Sequence, residues 1–221
     1  MKNYEIIAID LDGTLSDPSH GLIEAYIYAF KKMGIRDYGD RESLRRYIGP
    51  PIFDEWKRDF SLSEEDAQKL LGYFREYYEI YGWWDNKLYE GIVDVLAALK
   101  AAGKKVVLAT SKPERTAKRI INLFGLTGYF DFIGAAVDKV RDKKWQVLDY
   151  ALNSVGCKDR SLAVMVGDRK YDKEGAGICG TDALGVLYGH GSRKEIGSAG
   201  FEYIAESVGD ILKILLGEKK D

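Results

Sequence analysis

Residues 4–15 of this 221-residue chain are YEIIAIDLDGTL, and this stretch decides the fold. The run at 4–9 is apolar and rich in β-branched residues, so it predicts a short buried strand. The Asp-Leu-Asp-Gly sequence that follows predicts a loop. Asp10 and Asp12 are thus expected at the carboxyl end of the first strand.

The segment at 18–86 is predicted to be all-helical and is rich in aromatic residues. Apolar residues recur at helical spacing over 21–33, and Gly34 is placed to end that helix. Ser63 and the three acidic residues after it predict the start of a long helix that continues to residue 81. Between these helices, Ile48-Gly49-Pro50-Pro51 predicts a break.

Strands and helices alternate after residue 86. Strand-like runs are predicted at 105–110, 130–133, 162–166 and 183–187, with helical segments between them. Such alternation predicts a parallel sheet that is covered by helices on both faces. We therefore predict an α/β core, formed by 1–17 and 87–221, that is interrupted by a helical insertion at 18–86.

Four polar clusters lie at or near predicted strand ends, where ligands of open parallel sheets bind. They are Asp10 with Asp12; Thr110-Ser111-Lys112; Lys144; and Gly167-Asp168-Arg169 with Asp172. Each cluster alone has an ordinary structural explanation, because such residues also cap helices, occupy turns or lie in solvent. Their joint occurrence in one sheet indicates a single site.

The chemistry of these residues suits phosphoryl transfer. The Asp10 carboxylate is a nucleophile that needs no deprotonation at neutral pH. A phosphate dianion repels it by about 4 kcal/mol per charge pair at about 4 Å in an effective dielectric of roughly 20. A divalent cation and a lysine must offset that repulsion. Asp10 and Asp168 offer the oxygen ligands that Mg²⁺ prefers, and Lys144 offers a fixed positive charge.

The remaining polar residues complete this hypothesis. Thr110 can donate its hydroxyl to a phosphoryl oxygen, and Asp12 can protonate the leaving alkoxide and later take a proton from water. Gly13 allows the backbone to approach the phosphate closely. Backbone amides near Ser111 are further donors to an anion.

The ordered motifs resemble those of the haloacid dehalogenase-like hydrolases. Residues 9–15, IDLDGTL, are similar to the first motif of that family, and residues 166–172, VGDRKYD, to the fourth. Thr110 in VVLATSKP and Lys144 in KWQVL resemble the second and the third. The resemblance spans about 10–180 and implies a Rossmann-like, three-layer parallel-sheet core with an inserted all-helical cap domain.

The resemblance also implies a role for each matching residue. Asp10 would be the nucleophile, Asp12 the general acid and base, and Thr110 and Lys144 the ligands of the phosphate, with Gly13 and Ser111 beside it. Mg²⁺ would be held by Asp10, Asp168 and the backbone carbonyl of Asp12, with Asp172 as an outer-sphere partner. Within the family, the sequence most resembles the phosphoglycolate phosphatase-like group, which includes 5′-nucleotidase-like members.

The expected activity is therefore Mg²⁺-dependent hydrolysis of a small phosphomonoester through an aspartyl-phosphate on Asp10. Two alternatives stay open. A phosphomutase of the same superfamily would use the same aspartate, and a phospho-accepting signalling domain would use an aspartate, a hydroxyl residue and a lysine on a parallel sheet. Asp12 and the helical insertion favour the phosphatase over the signalling domain.

Composition limits the partners and the location that we expect. The chain has 33 basic and 35 acidic residues, so it lacks the cationic excess typical of nucleic-acid binding. The first apolar run is too short for a signal peptide, and no segment approaches the roughly 18 apolar residues of a membrane span. Cys157 and Cys179 fit no short metal-binding spacing. We expect a cytoplasmic monomer or weak dimer whose partner is a small phosphorylated metabolite.

Overall fold

The computed structural model describes residues 2–49 and 52–217. The chain divides into two compact units, one formed by Met1–Ser16 with Leu88–Asp221 and the other by Asp17–Lys87. Pro50 and Pro51, half of the predicted break, lie outside the described residues.

The described residues form eight strands and nine α-helices. The strands are β1 (Ile6–Ile9), β2 (Ser16–Asp17), β3 (Lys87–Leu88), β4 (Lys105–Pro113), β5 (Phe132–Ala136), β6 (Ala163–Gly167), β7 (Asp182–Val186) and β8 (Tyr203–Ala205). The helices are α1 (Ser19–Met33), α2 (Ile52–Asp59), α3 (Glu64–Tyr77), α4 (Ile92–Ala101), α5 (Glu114–Leu123), α6 (Lys144–Ser154), α7 (Lys170–Cys179), α8 (Arg193–Ala199) and α9 (Val208–Leu216).

The first unit is built on a six-stranded sheet with the order β5-β4-β1-β6-β7-β8. Every neighbouring pair in it is parallel. Side chains alternate between the two faces of each strand. One face, which includes Ala8, Val107 and Met165, packs on Val147 and Leu148 of α6, while α4 and α5 also pack on β4. The predicted α/β class with a parallel sheet is confirmed.

The second unit is helical and has an aromatic core. Trp56 is fully buried and its ring meets those of Tyr26 and Phe30 edge-on, at centroid distances of 5.5 and 5.3 Å. The predicted ends of two helices are confirmed: Gly34 ends α1 in the left-handed conformation, and the Ser63 side chain accepts a hydrogen bond from the Asp66 N–H. The long helix ends at Tyr77 rather than 81, where a wider π-type turn follows.

β2 and β3 form a separate two-stranded sheet. The chain passes from the first unit to the second within β2 and returns within β3. The sequence did not predict this pair, nor the edge strand β8, because strands of two or three residues are too short to show a hydrophobic period. In the part of the chain described, no helix is long and apolar enough to span a membrane.

Candidate active site

Strand register brings the predicted site residues to one edge of the sheet. β1 lies between β4 and β6, and Ile9 is aligned with Leu108 on one side and with Val166 on the other. The chain positions just beyond this row are those of Asp10, Thr110 and Asp168. The three clusters that are far apart in sequence therefore meet at the carboxyl ends of adjacent strands.

A tight turn follows β1 and fixes the Asp10–Gly13 backbone. The Asp10 N–H donates to the Val166 carbonyl at 2.9 Å, and the Leu11 carbonyl accepts hydrogen bonds from the N–H groups of Leu15 and Ser16. Gly13 has a φ of 80°, and a Cβ there would lie 2.1 Å from Asp168 Oδ2. Gly13 is thus required by the packing of a carboxylate, which the sequence did not indicate; its predicted contact with phosphate stays a prediction.

Three buried carboxylates converge at this edge. Asp10, Asp168 and Asp172 each place an oxygen within 4.8 Å of the others. Asp168 and Asp172 are fully buried, and Asp10 is 8% exposed. Asp168 uses Oδ2 to accept a hydrogen bond from the His190 N–H at 2.7 Å, whereas its buried Oδ1 accepts none from the described residues.

Lys144 is the positive charge inside this group. Its Nζ lies 2.9 Å from Asp10 Oδ1 and 2.8 Å from Asp172 Oδ1, and it donates to the Ala109 carbonyl at 3.1 Å. Lys144 is the first residue of α6. Its aliphatic stem packs against Gly175, where a Cβ would lie only 2.9 Å from Lys144 Cγ. The predicted fixed charge is therefore held by two carboxylates and by close packing.

The protonation of these groups follows from burial and mutual charge. Burial raises the pKa of Asp168 well above its ordinary range, and the charges of Asp172 and Asp10 raise it further. Burial also raises the pKa of Asp172, to about 6, although Lys144 opposes the shift. For Lys144, burial would lower the pKa, but the charges of Asp10 and Asp172 outweigh it and raise the pKa above normal. The group as a whole therefore favours additional positive charge.

Asp12 forms an ion pair with a second lysine, Lys112. Lys112 Nζ donates to Asp12 Oδ2 at 2.6 Å, and the Lys112 side chain is only 4% exposed. The sequence placed Lys112 in the second cluster but assigned it no role. Its signal was its position two residues after Thr110, which in an extended strand directs both side chains to the same face.

Thr110 and Ser111 have different environments. Thr110 is buried, and its hydroxyl oxygen accepts a hydrogen bond from the Lys112 N–H at 3.2 Å, which leaves the hydroxyl proton available for donation. Ser111 is exposed and lies between Thr110 and Lys112 in β4. The phosphate-binding roles predicted for both stay predictions, and Thr110 is the one whose side chain lies at the buried edge.

Asp172 is in direct contact with the other site residues, which an outer-sphere partner of the metal does not require. Besides its contact with Lys144, its Oδ2 accepts a hydrogen bond from the Arg169 N–H at 3.0 Å, which caps the start of α7. A Cβ on Gly167 would lie 2.1 Å from Asp172 Cγ, so the glycine makes room for the carboxylate. The structure brings the Asp172 carboxylate together with those of Asp10 and Asp168, two of the three predicted metal ligands. Whether Asp172 contacts the metal directly or indirectly stays a prediction.

Comparison with known proteins gives the family. A family model described as haloacid dehalogenase-like hydrolase matches residues 7–186. The chain belongs to this family. It is 34% identical over 194 residues to a 5′-nucleotidase from Pseudomonas aeruginosa, with 87% of each chain covered. The predicted family membership is thereby confirmed.

Two further relatives of this haloacid dehalogenase-like hydrolase are informative. A tyrosine-protein kinase, PtkA, from Mycobacterium tuberculosis is 36% identical over 191 residues, covering 86% of this chain and 64% of the kinase. The crystal structure of a predicted phosphatase from Clostridium acetobutylicum superposes with a TM-score of 0.92 and 36% identity, covering 98% of this chain and 100% of the other. The predicted fold and enzyme class, a hydrolase with phosphatase relatives, are confirmed.

The cluster of three buried aspartates fits a magnesium ion. Mg²⁺ prefers hard oxygen ligands and binds through few carboxylates plus substrate phosphate. The site offers the oxygens of Asp10, Asp168 and Asp172 within one small volume. Asp168 Oδ1, which accepts no hydrogen bond from any described residue, is a buried acceptor that a cation can satisfy. Four carboxylates, including Asp12, face two ammonium groups. One divalent cation balances that formal excess of negative charge.

Proposed function

We propose that this haloacid dehalogenase-like hydrolase is a Mg²⁺-dependent phosphatase that cleaves small phosphomonoesters of the phosphoglycolate or 5′-nucleotide kind through an aspartyl-phosphate on Asp10. The observation that supports this proposal is the buried arrangement of Asp10, Asp168 and Asp172 around Lys144 at the carboxyl ends of parallel strands.

The site residues would divide the reaction as follows. An Asp10 oxygen attacks phosphorus, and the bond from phosphorus to the leaving oxygen breaks. Asp12 gives a proton to that oxygen and then accepts one from the water that hydrolyses the acyl phosphate. Lys144 and Thr110 contact the phosphoryl oxygens. Mg²⁺, held by Asp10, Asp168 and the backbone carbonyl of Asp12, would supply charge neutralisation when bound.

The pairing of Asp12 with Lys112 supports a distinct role for this aspartate. Asp12 Oδ2 is fixed by Lys112, while Asp12 Oδ1 is buried and accepts no hydrogen bond from the described residues. A carboxylate that is anchored by one oxygen keeps the other in a constant direction. That geometry suits a group that must hand a proton to a substrate oxygen and then take one from water.

We further propose a division of labour between domains. The core, predicted at 1–17 and 87–221, performs the chemistry, and the insertion, predicted as a cap at 18–86, selects the leaving group. The 5′-nucleotidase relative supports nucleotides as candidate substrates, and the PtkA relative supports a test of transfer to acceptors other than water.

The proposal is tested by phosphate release from a panel of substrates, with Mg²⁺ and with EDTA. The panel contains phosphoglycolate, nucleoside monophosphates, sugar phosphates, pyrophosphate, p-nitrophenyl phosphate, and ATP with and without a tyrosine peptide. Wild type is compared with Asp10→Asn and with Asp94→Asn, a matched change of an exposed aspartate in α4.

Release that requires Mg²⁺, persists in Asp94→Asn and is lost in Asp10→Asn is the expected result. Acid-stable mass gain of one phosphoryl group on quenched wild type, absent from Asp10→Asn, would locate the intermediate. Release that continues in Asp10→Asn would contradict the proposal. Movement of the phosphoryl group to a second sugar or to the peptide, without release to water, would support the mutase or kinase-like alternative instead.

A further inference from the structure

A short segment after β7 contacts the site at the carboxyl ends of the strands. β7 ends at Val186, and one residue separates it from residues 188–191, Tyr-Gly-His-Gly. We call these four residues the glycine strap. The structure shows two hydrogen bonds that join it to the site: the Tyr188 hydroxyl donates to the Thr14 carbonyl at 2.8 Å, and the His190 N–H donates to Asp168 Oδ2 at 2.7 Å.

The two glycines of the strap are required by the closeness of this contact. A Cβ on Gly189 would lie 2.3 Å from the Gly13 carbonyl oxygen and 2.6 Å from Asp168 Oδ2. A Cβ on Gly191 would lie 1.8 Å from the Asp168 carbonyl oxygen. Real Cβ contacts of this length do not occur, so the backbone of the strap occupies the space against Asp168 and Gly13 that a side chain would need.

Tyr188 is the fixed end of the strap. Its ring packs on Tyr89 with centroids 4.8 Å apart, and burial raises the pKa of its hydroxyl, so the group stays a neutral donor. The Thr14 carbonyl that accepts from it belongs to the turn that carries Asp12 and Gly13. One segment therefore ties the turn after β1 to the aspartate after β6, two parts of the site that are more than 150 residues apart in sequence.

We propose that the glycine strap positions Asp168 for cation binding, and that Tyr188 is its positioning residue. The strap occupies Asp168 Oδ2 from one side with a backbone N–H, which orients the carboxylate and leaves Oδ1 as the oxygen available to the ion. Tyr188 keeps the Asp12–Gly13 turn at the distance from Asp168 that a shared ion requires. This inference rests on the proposed Mg²⁺ dependence.

The test compares Tyr188→Phe with Tyr4→Phe. Tyr4 is a matched control because its hydroxyl donates to Asp182 at the opposite end of β7, away from the site. Each change removes one hydroxyl group and keeps the ring. Two readouts are used: Mn²⁺ binding without substrate, by electron paramagnetic resonance, and the Mg²⁺ concentration for half-maximal phosphate release at saturating substrate.

Tyr188→Phe is expected to weaken both Mn²⁺ binding and Mg²⁺ activation by about 3- to 10-fold, the equivalent of one ordinary hydrogen bond. Substrate KM at saturating Mg²⁺ should stay within about twofold, since phosphate contacts are unchanged. Tyr4→Phe should lower thermal stability similarly but leave cation binding unchanged. Gly189→Ala, checked for folding by circular dichroism, should weaken Mn²⁺ binding by more than Tyr188→Phe.

The outcomes separate the two proposals. If wild type needs the cation and binds Mn²⁺, but Tyr188→Phe behaves like Tyr4→Phe in both readouts, the strap is only structural and the inference is wrong while the proposed function stands. If wild type neither binds Mn²⁺ nor requires Mg²⁺, the proposed function fails and the strap inference fails with it.

Discussion

The two units of the chain are stabilised in opposite ways. In the first unit the buried side chains include five charged groups, Asp10, Lys112, Lys144, Asp168 and Asp172, whereas the second unit buries no charged side chain among the described residues. The second unit instead buries aromatic rings that meet Trp56 edge-on, and two of them, Tyr26 and Phe74, stack on each other. Each pattern has a different energetic consequence.

Burial of aromatic surface contributes directly to folding, while burial of charge opposes it unless the charges are paired. The negative charge of the buried aspartates in the first unit is only partly neutralised by lysine. Lys144 pairs with two carboxylates, and Asp168 has no cationic partner at contact distance among the described residues. The first unit thus contains buried charged groups that lower its stability, whereas the described residues of the second unit bury none. The predictions below test this difference in order of expected size.

Lys144→Met should have the largest effect. It removes the cation between Asp10 and Asp172 and leaves buried charges uncompensated, so we expect a loss of about 3–5 kcal/mol in the free energy of unfolding without divalent cation. Phosphate release should fall to background as well. Urea unfolding in EDTA measures the first effect. Lys118→Met, an exposed change in α5, should cost less than about 1 kcal/mol, and equal losses in the two variants would contradict the prediction.

Trp56→Ala should be as costly for stability but not for the site. Its side chain is fully buried against four rings, so truncation should destabilise the second unit by about 3–5 kcal/mol. Trp84→Ala is the matched control because Trp84 is 53% exposed, and it should stay within about 0.5 kcal/mol. Mn²⁺ binding of folded Trp56→Ala should equal that of wild type; a matching loss of cation affinity would refute the separation between the units.

Asp168→Asn should stabilise the apo protein and abolish its response to cation. Burial and the charges of Asp172 and Asp10 disfavour the ionised form of Asp168 and raise its pKa, so the change removes a carboxyl group that is costly to bury. An amide oxygen in its place can still accept a hydrogen bond from the His190 N–H. In EDTA we expect a gain of about 1 kcal/mol, or roughly 2–4 °C in the melting temperature. Added Mg²⁺ should raise the melting temperature of wild type but not of the variant. A lower melting temperature in EDTA would count against the comparison.

Asp131→Asn should give the smallest effect and a clear pH signature. Burial alone would raise the pKa of Asp131, but hydrogen bonds from Lys100 and from the Val106 N–H outweigh it and lower the pKa. A lowered folded pKa stabilises the protein above about pH 4 and loses that effect as pH falls through the folded value. The variant should be less stable by at most about 1 kcal/mol at pH 7, because the pair is partly exposed. The difference should shrink as the pH falls below about 4 in urea unfolding, and a difference that stays constant from pH 7 down to the lowest pH measured would exclude this explanation.

Much of the fold follows from local sequence. β1 lies within the apolar run predicted at 4–9, and the Asp-Leu-Asp-Gly sequence follows it as the predicted loop. β5 was expected at 130–133 and lies at Phe132–Ala136, since the hydrogen bonds of a parallel pair, not the apolar pattern, set its ends. Boundaries that depend on pairing partners are not encoded in the strand itself.

The site was less accessible to sequence reasoning than the fold. The residue types of the Asp10 and Asp168 clusters indicate phosphoryl transfer and cation binding, because several carboxylates at neighbouring strand ends have few other uses in combination. Lys112 and the strap around Tyr188 carry no such signal: their importance depends on contacts with residues about 100 and 170 positions away. The role of Gly13 was read from local backbone freedom, whereas its neighbour Asp168 can be known only from the folded structure.

The sheet formed by β2 and β3 has an evolutionary consequence. Both ends of the inserted segment lie side by side in this sheet, and each of its two strands has one residue in the first unit and one in the second. The entropy of closing a loop rises only slowly with length, by about 0.6 kcal/mol for each doubling. Insertions of different length can therefore be exchanged at this place in the course of evolution at little entropic cost, while β1 and the turn after it keep their structure.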